Sequence, residues 1–141
     1  MIWKEKYKIG VEQIDQQHEE LFRRVADFVT TLRSPVEWSE KVEKVNTTLE
    51  FMKDYVVIHF HDEETYQRKI GYEKLDAHIK IHNNMVQYVV EFAEHYERTG
   101  CNEMLMQQFA GKLLAWLINH ITEEDQKIAD YAREKGVSGN E

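Results

Sequence analysis

The chain has little of what interrupts helices. Proline occurs once, at Pro35, and glycine six times in 141 residues, so long helices can run unbroken. A single cysteine, Cys101, excludes an internal disulfide and fits a reducing compartment, so the cytoplasm is the expected location. Basic residues are outnumbered 18 to 26 by acidic ones, for a formal net charge of −8. That balance argues against nucleic acid as a partner, because phosphate binding requires clustered Lys and Arg. No apolar run approaches the ~18 residues of a membrane span, which excludes membrane insertion by a helix. The stretch Met1 to Tyr7 contains no apolar signal core. What the chain does have, 42% hydrophobic and 31% charged residues, suits a single globular domain over residues 1–141.

Apolar residues recur in alternating steps of three and four, the period of helices packed in a left-handed bundle. Four helices are expected after an N-terminal arm over about 1–11. The first, about 15–33, carries His18, Leu21, Val25, Phe28 and Leu32 on its seam. The second, about 39–69, carries Val42, Val45, Leu49, Met52, Val56, His59, Glu63, Tyr66 and, just past its end, Ile70. The third, about 73–98, carries Leu75, His78, His82, Met85, Val89, Phe92 and Tyr96. The fourth, about 103–133, carries Met106, Phe109, Leu113, Trp116 and His120. Short connections make consecutive helices antiparallel neighbours, so the expected fold is all-α, an up-down-up-down antiparallel four-helix bundle. Ser34-Pro35-Val36-Glu37 reads as a cap followed by proline at a first helical position, and a short turn of helix is expected there. Gly136 and Ser138-Gly139-Asn140 read as a frayed tail.

Histidines and acids interrupt these seams at one level. His59 with Glu63, and His78 with His82, are spaced i,i+4 and share a helix face. The midpoint between 59 and 82 is 70.5, and so is the midpoint between 63 and 78; Gly71 stands there. The midpoint between 82 and 120 is 101, and between 78 and 125 it is 101.5, within Thr99-Gly100-Cys101-Asn102. The midpoint between 18 and 59 is 38.5, just beyond Pro35. Three turns therefore bring His18, His59, Glu63, His78, His82, His120 and Asp125 to one level of the bundle. Any one of these histidines alone would be ordinary. Five imidazoles and two carboxylates on core seams are not, because an unsatisfied buried polar group costs about 1–3 kcal/mol.

The donor set points to a metal and indicates which one. Seven donors exceed the about four that one zinc takes. Nitrogen and carboxylate without thiolate suit iron or manganese. Two ions side by side need bridging groups, and Glu63 and Asp125 are the only carboxylates in the set. With about six positions on each ion, two bridging carboxylates, a bridging oxo or hydroxo group and five imidazoles fill every position but one. Two ferrous ions, two carboxylates and a hydroxide are also nearly neutral together, which favours burial.

These residues, together with Trp3, Tyr7, Gly10-Val11, Ile14-Asp15-Gln16-Gln17-His18, His59-Phe60, Glu63-Glu64, Gly71-Tyr72 and Trp116 through Asp125, make a pattern over nearly the whole chain. It resembles the hemerythrin family, in particular its single-domain bacterial branch, the bacteriohemerythrins. The resemblance implies a non-haem di-iron centre (Fe2+/Fe3+) that binds O2 reversibly, for storage, transport or delivery rather than catalysis. It implies that His78, His82 and His120 hold the saturated iron, that His18 and His59 hold the iron with the open position, and that Glu63 and Asp125 bridge. It also implies that Trp116, Leu117 and Ile121 line the oxygen pocket. The alternatives are oxygen, redox or nitric oxide sensing with a separate partner, and reduction of nitric oxide or peroxide at the same irons. Besides O2, an oxygen-consuming or signalling protein is the expected partner.

The chain departs from the family at Gln67, where Met is common, and at Glu73, where Pro is common. The seam places Tyr66 rather than Gln67 inward. Asp15, three residues before His18, is expected either to accept an N–H from a ligand imidazole or to cap the first helix. His61, Glu64, Glu123 and Glu124 are expected to face solvent, His95, between seam residues Phe92 and Tyr96, is assigned no role, and Cys101 is expected to be incidental.

Overall fold

The computed structural model describes residues 4–100 and 102–136. Trp3, Cys101 and the tail Ser138-Gly139-Asn140 lie outside the described residues. Helix α1 spans Glu12–Arg33, α2 Trp38–Ile70, α3 Leu75–Thr99 and α4 Glu103–Asn119; α5, Asp125–Glu134, continues α4 after the π-helical turn His120–Glu124. These elements form a four-helix bundle, with α4, the π turn and α5 making up the fourth rod. Helix α1 packs on α2 and α4, and α2 packs on α3.

The apolar seams meet in one core, with Val25, Phe28, Val45, Val89, Met106 and Phe109 almost fully buried. A second, smaller cluster joins Ile14, Tyr66, Tyr72, Ile128 and Ala129 to Ile9 and Val11 of the arm. The arm closes this end of the bundle. Gly10, at φ 93°, turns it into α1, and Gln126 Nε2 donates to Tyr7 O at 3.1 Å.

Two of the three reversals lie where the midpoints put them. Gly71 ends α2 in the left-handed region at φ 69°, and Gly100 with the Asn102 cap separates α3 from α4. The first reversal occupies residues 34–37, short of position 38.5. The midpoint rule assumes that both helices end level, and an extended connection does not require that. The expected turn of helix at Ser34 is absent. Glu37 precedes α2 with extended backbone and no side-chain cap, and the Ser34 hydroxyl donates back to Thr31 O at 2.7 Å. Helix α1 begins at Glu12, three residues before the expected start. No described helix is long and apolar enough to cross a membrane.

Candidate metal centre

All seven expected donors meet inside the bundle, at its arm end, each at most 3% exposed. Helix α1 contributes His18, α2 His59 and Glu63, and α3 His78 and His82, by the i,i+4 logic above. His120 and Asp125 are five apart. On a regular helix that spacing turns them about 140° away from each other. The π turn removes the conflict: Asp125 N–H donates to His120 O, an i to i+5 bond, so residues five apart share a face. The half-residue disagreement between the midpoints 101 and 101.5 was the sequence's trace of this inserted residue.

The two carboxylates divide their oxygens. Glu63 Oε1 lies 2.8 Å from His78 Nε2 and 3.1 Å from His82 Nε2, while Glu63 Oε2 lies 3.0 Å from His18 Nε2 and 3.4 Å from His59 Nε2. Asp125 Oδ1 lies 3.1 Å from His120 Nε2 and 3.2 Å from His78 Nε2, while Asp125 Oδ2 lies 3.0 Å from His18 Nε2. The donors thus sort into two groups, one of Glu63, His78, His82, His120 and Asp125, the other of His18, His59 and Glu63. Each carboxylate reaches both.

Several contacts suit a site that holds cations. His82 Nε2 and His120 Nε2 face each other at 3.0 Å, two ring nitrogens converging on one point. Both Asp125 oxygens are buried with no hydrogen bond of proper geometry. The residues therefore fit a pair of metal ions: imidazoles and two bridging carboxylates, converging and buried.

Without metal, protons take the cations' place. Burial lowers the tendency of His18, His78 and His120 to charge, but the Asp125 and Glu63 carboxylates outweigh it and raise His18 and His78 to about 9 and His120 to about 10. Burial likewise pushes Glu63 and Asp125 up, and the surrounding imidazoles hold both well below the usual carboxylate range. His59 is lowered, chiefly by burial.

Two outer partners escaped the sequence reading. His59 Nδ1 lies 2.8 Å from Gln17 Oε1, and Gln17 Nε2 donates to Asp62 Oδ2 at 2.8 Å. His82 Nδ1 lies 2.8 Å from Glu64 Oε2, so Glu64 does not face solvent as expected. Asp15 serves neither expected role. Its carboxylate accepts the Ile9 and Gly10 N–H groups at 2.7 and 3.1 Å, tying down the arm, while His18 Nδ1 has no partner. Gln67, expected outside the seam, is fully buried with both amide atoms unpartnered; Tyr66 is buried too. His61 and Glu123 are exposed as expected, His95 is exposed too, and Glu124 is half-buried beside Lys127.

Above the imidazoles the site is apolar. Trp116 stacks on His120, with centroids 4.5 Å apart, and Phe60 on His82, 3.8 Å apart. Trp116, Leu117 and Phe60 line a small cavity with Leu21, Val25, Met52, Val56, Met85 and Leu113; its free volume is about 10 Å³, room for roughly one water-sized sphere. Ile121 is buried in the same core but does not line this cavity.

A helical bundle holding a histidine-rich, two-carboxylate cluster is a dinuclear metal-binding domain by its donors. The chain matches the family model of the hemerythrin HHE cation binding domain over residues 9–132, and it belongs to that family. It is 28% identical to a bacteriohemerythrin of Clostridium acetobutylicum over 92% of this chain and 98% of that protein. To a myohemerythrin of Theromyzon tessulatum it is 29% identical, over 89% and 88%. A crystal structure of wild-type hemerythrin superposes with a TM-score of 0.75 at 26% identity, covering 92% of this chain and 95% of that one.

Proposed function

We propose that the protein binds O2 reversibly at a di-iron centre and serves as a store or carrier of oxygen. His78, His82 and His120 would hold one iron, His18 and His59 the other, with Glu63 and Asp125 bridging. The observation that carries this reading is the division of both carboxylates between two groups of imidazoles. When bound, an iron pair supplies the electrons and the open position that reversible O2 binding requires.

The chain's own residues supply the rest. Both carboxylates reach both halves, but three imidazoles stand on one side and only His18 and His59 on the other, so an open position would fall on the His18–His59 side. Asp125 and Glu63 fix the separation of the two halves. Phe60 and Trp116 lock two imidazole planes by stacking. The cavity beside them has apolar and aromatic walls only, which excludes water and admits a small apolar gas.

The same wall favours binding over catalysis. Reduction of peroxide or nitric oxide consumes protons, and no residue lining the cavity is a general acid. We therefore read the chain as a binding protein that hands oxygen to a separate oxygen-consuming or signalling protein. Anaerobically reduced protein should gain a visible absorption band on exposure to air and lose it under argon, over repeated cycles. Irreversible oxidation in the first cycle would contradict the proposal.

A further inference from the structure

The outward nitrogens of the imidazoles are treated unequally. His18 Nδ1 and His120 Nδ1 have no partner. His59 Nδ1 meets a neutral amide, Gln17 Oε1, at 2.8 Å. His82 Nδ1 meets a carboxylate, Glu64 Oε2, also at 2.8 Å. A carboxylate only accepts, so His82 donates from Nδ1 and its Nε2 lone pair faces the cluster. Glu64 follows the bridging Glu63 in sequence, so it leaves α2 about 100° further round. There it passes along the flank of the bundle and reaches the α3 histidine from outside. Its side chain is only 14% exposed, so its charge acts on His82 with limited screening. Phe60, stacked 3° from parallel with the His82 ring, fixes the plane in which Glu64 acts.

We propose that Glu64 is a positioning residue that makes His82 the most strongly donating imidazole of the set, and so stabilises the ferric state of the iron on the His78–His82–His120 side. A charged acceptor on Nδ1–H draws that proton outward and raises electron density at Nε2. Gln17, being neutral, leaves the His18–His59 side poorer in electrons. The charge that could have served there, Asp62, is held one hydrogen bond further out by the Gln17 amide. The two halves thus differ in outer hydrogen bonding as well as in ligand number. This inference rests on the di-iron reading above.

A plain tether between α2 and α3 is the competing explanation, and substitutions separate the two. Glu64→Gln keeps an oxygen acceptor for His82 and removes the charge. The reduction potential of the iron pair should rise, and loss of iron to a chelator should quicken about tenfold, while the melting temperature of the iron-free protein changes little. Gln17→Glu combined with Asp62→Asn exchanges amide and carboxylate at fixed net charge, placing the charge directly on His59; its potential should fall. A potential and iron-loss rate unchanged from wild type in either variant would overturn the inference and leave Glu64 a tether. Wild-type protein that takes up no iron pair would overturn the di-iron reading and the inference together.

Discussion

At the scale of single residues, the centre is a set of charges that protons or metals can balance. In the iron-free protein the raised groups are His18, His78 and His120, at about 9, 9 and 10 against an ordinary 6.5. Their contribution to stability is complete below pH 6.5 and is lost as the pH rises through 9 to 10. Glu63 and Asp125 are depressed from 4.5 and 3.8, so theirs is present above those values and is lost as the pH falls well below them. The melting temperature of iron-free protein should therefore fall from pH 6.5 to 10, and iron loading near neutral pH should release about four protons, one from each raised imidazole and one from the water that becomes a bridging hydroxide. Loading without proton release, measured in weakly buffered solution, would contradict these assignments. Gln67 gives a second prediction at this scale. An amide buried without partners is a cost, and Gln67→Met replaces it with an apolar side chain of similar shape. Chemical denaturation should show a gain of about 1–3 kcal/mol; a loss would mean the amide has a partner. Replacing His120 by Ala should abolish iron binding, whereas His61→Ala, on an exposed position, should keep it.

At the scale of elements, most of the scaffold is legible in the residue pattern, and the exceptions have physical causes. The alternation of three and four gave the rods, and Gly71 and Gly100 gave two turns. Gly71→Ala should cost about 1–2 kcal/mol, because φ 69° is strained for any side chain, and equilibrium unfolding would measure it. The seam rule failed at Gln67 and Glu64 for one reason. It describes a narrow stripe facing one partner, but α2 touches α1, α3 and the region closed by the arm. Both Tyr66 and Gln67 are therefore inside, and a flanking residue such as Glu64 meets a neighbouring helix instead of water. Asp15 failed because the arm had no readable partner in the sequence, and its loose amides claimed the carboxylate. The π turn was legible only as a spacing of five where four was due; hydropathy carries no signal for it, since Thr122, Glu123 and Glu124 lie on the outer side.

At the scale of the whole molecule, the bundle is a rigid frame that imposes a distance between two half-sites and covers one with an apolar wall. Every donor comes from a rod, none from a loop, so the geometry is set before metal arrives. The far end is tied independently: Lys41, almost fully buried, donates to Leu32 O at 2.6 Å and pairs with Glu103 at 2.9 Å, joining α1, α2 and α4. Lys41→Ala should thus lower stability by roughly 1–3 kcal/mol and leave iron content unchanged, which unfolding curves and metal analysis would check. The central claim is that the cluster holds two irons through shared carboxylates. Mössbauer spectroscopy of air-oxidised protein loaded with iron-57 tests it most directly. The account predicts about two irons per chain with a coupled, diamagnetic ground state. A single iron per chain, with the paramagnetic spectrum of an isolated ferric ion, would contradict it.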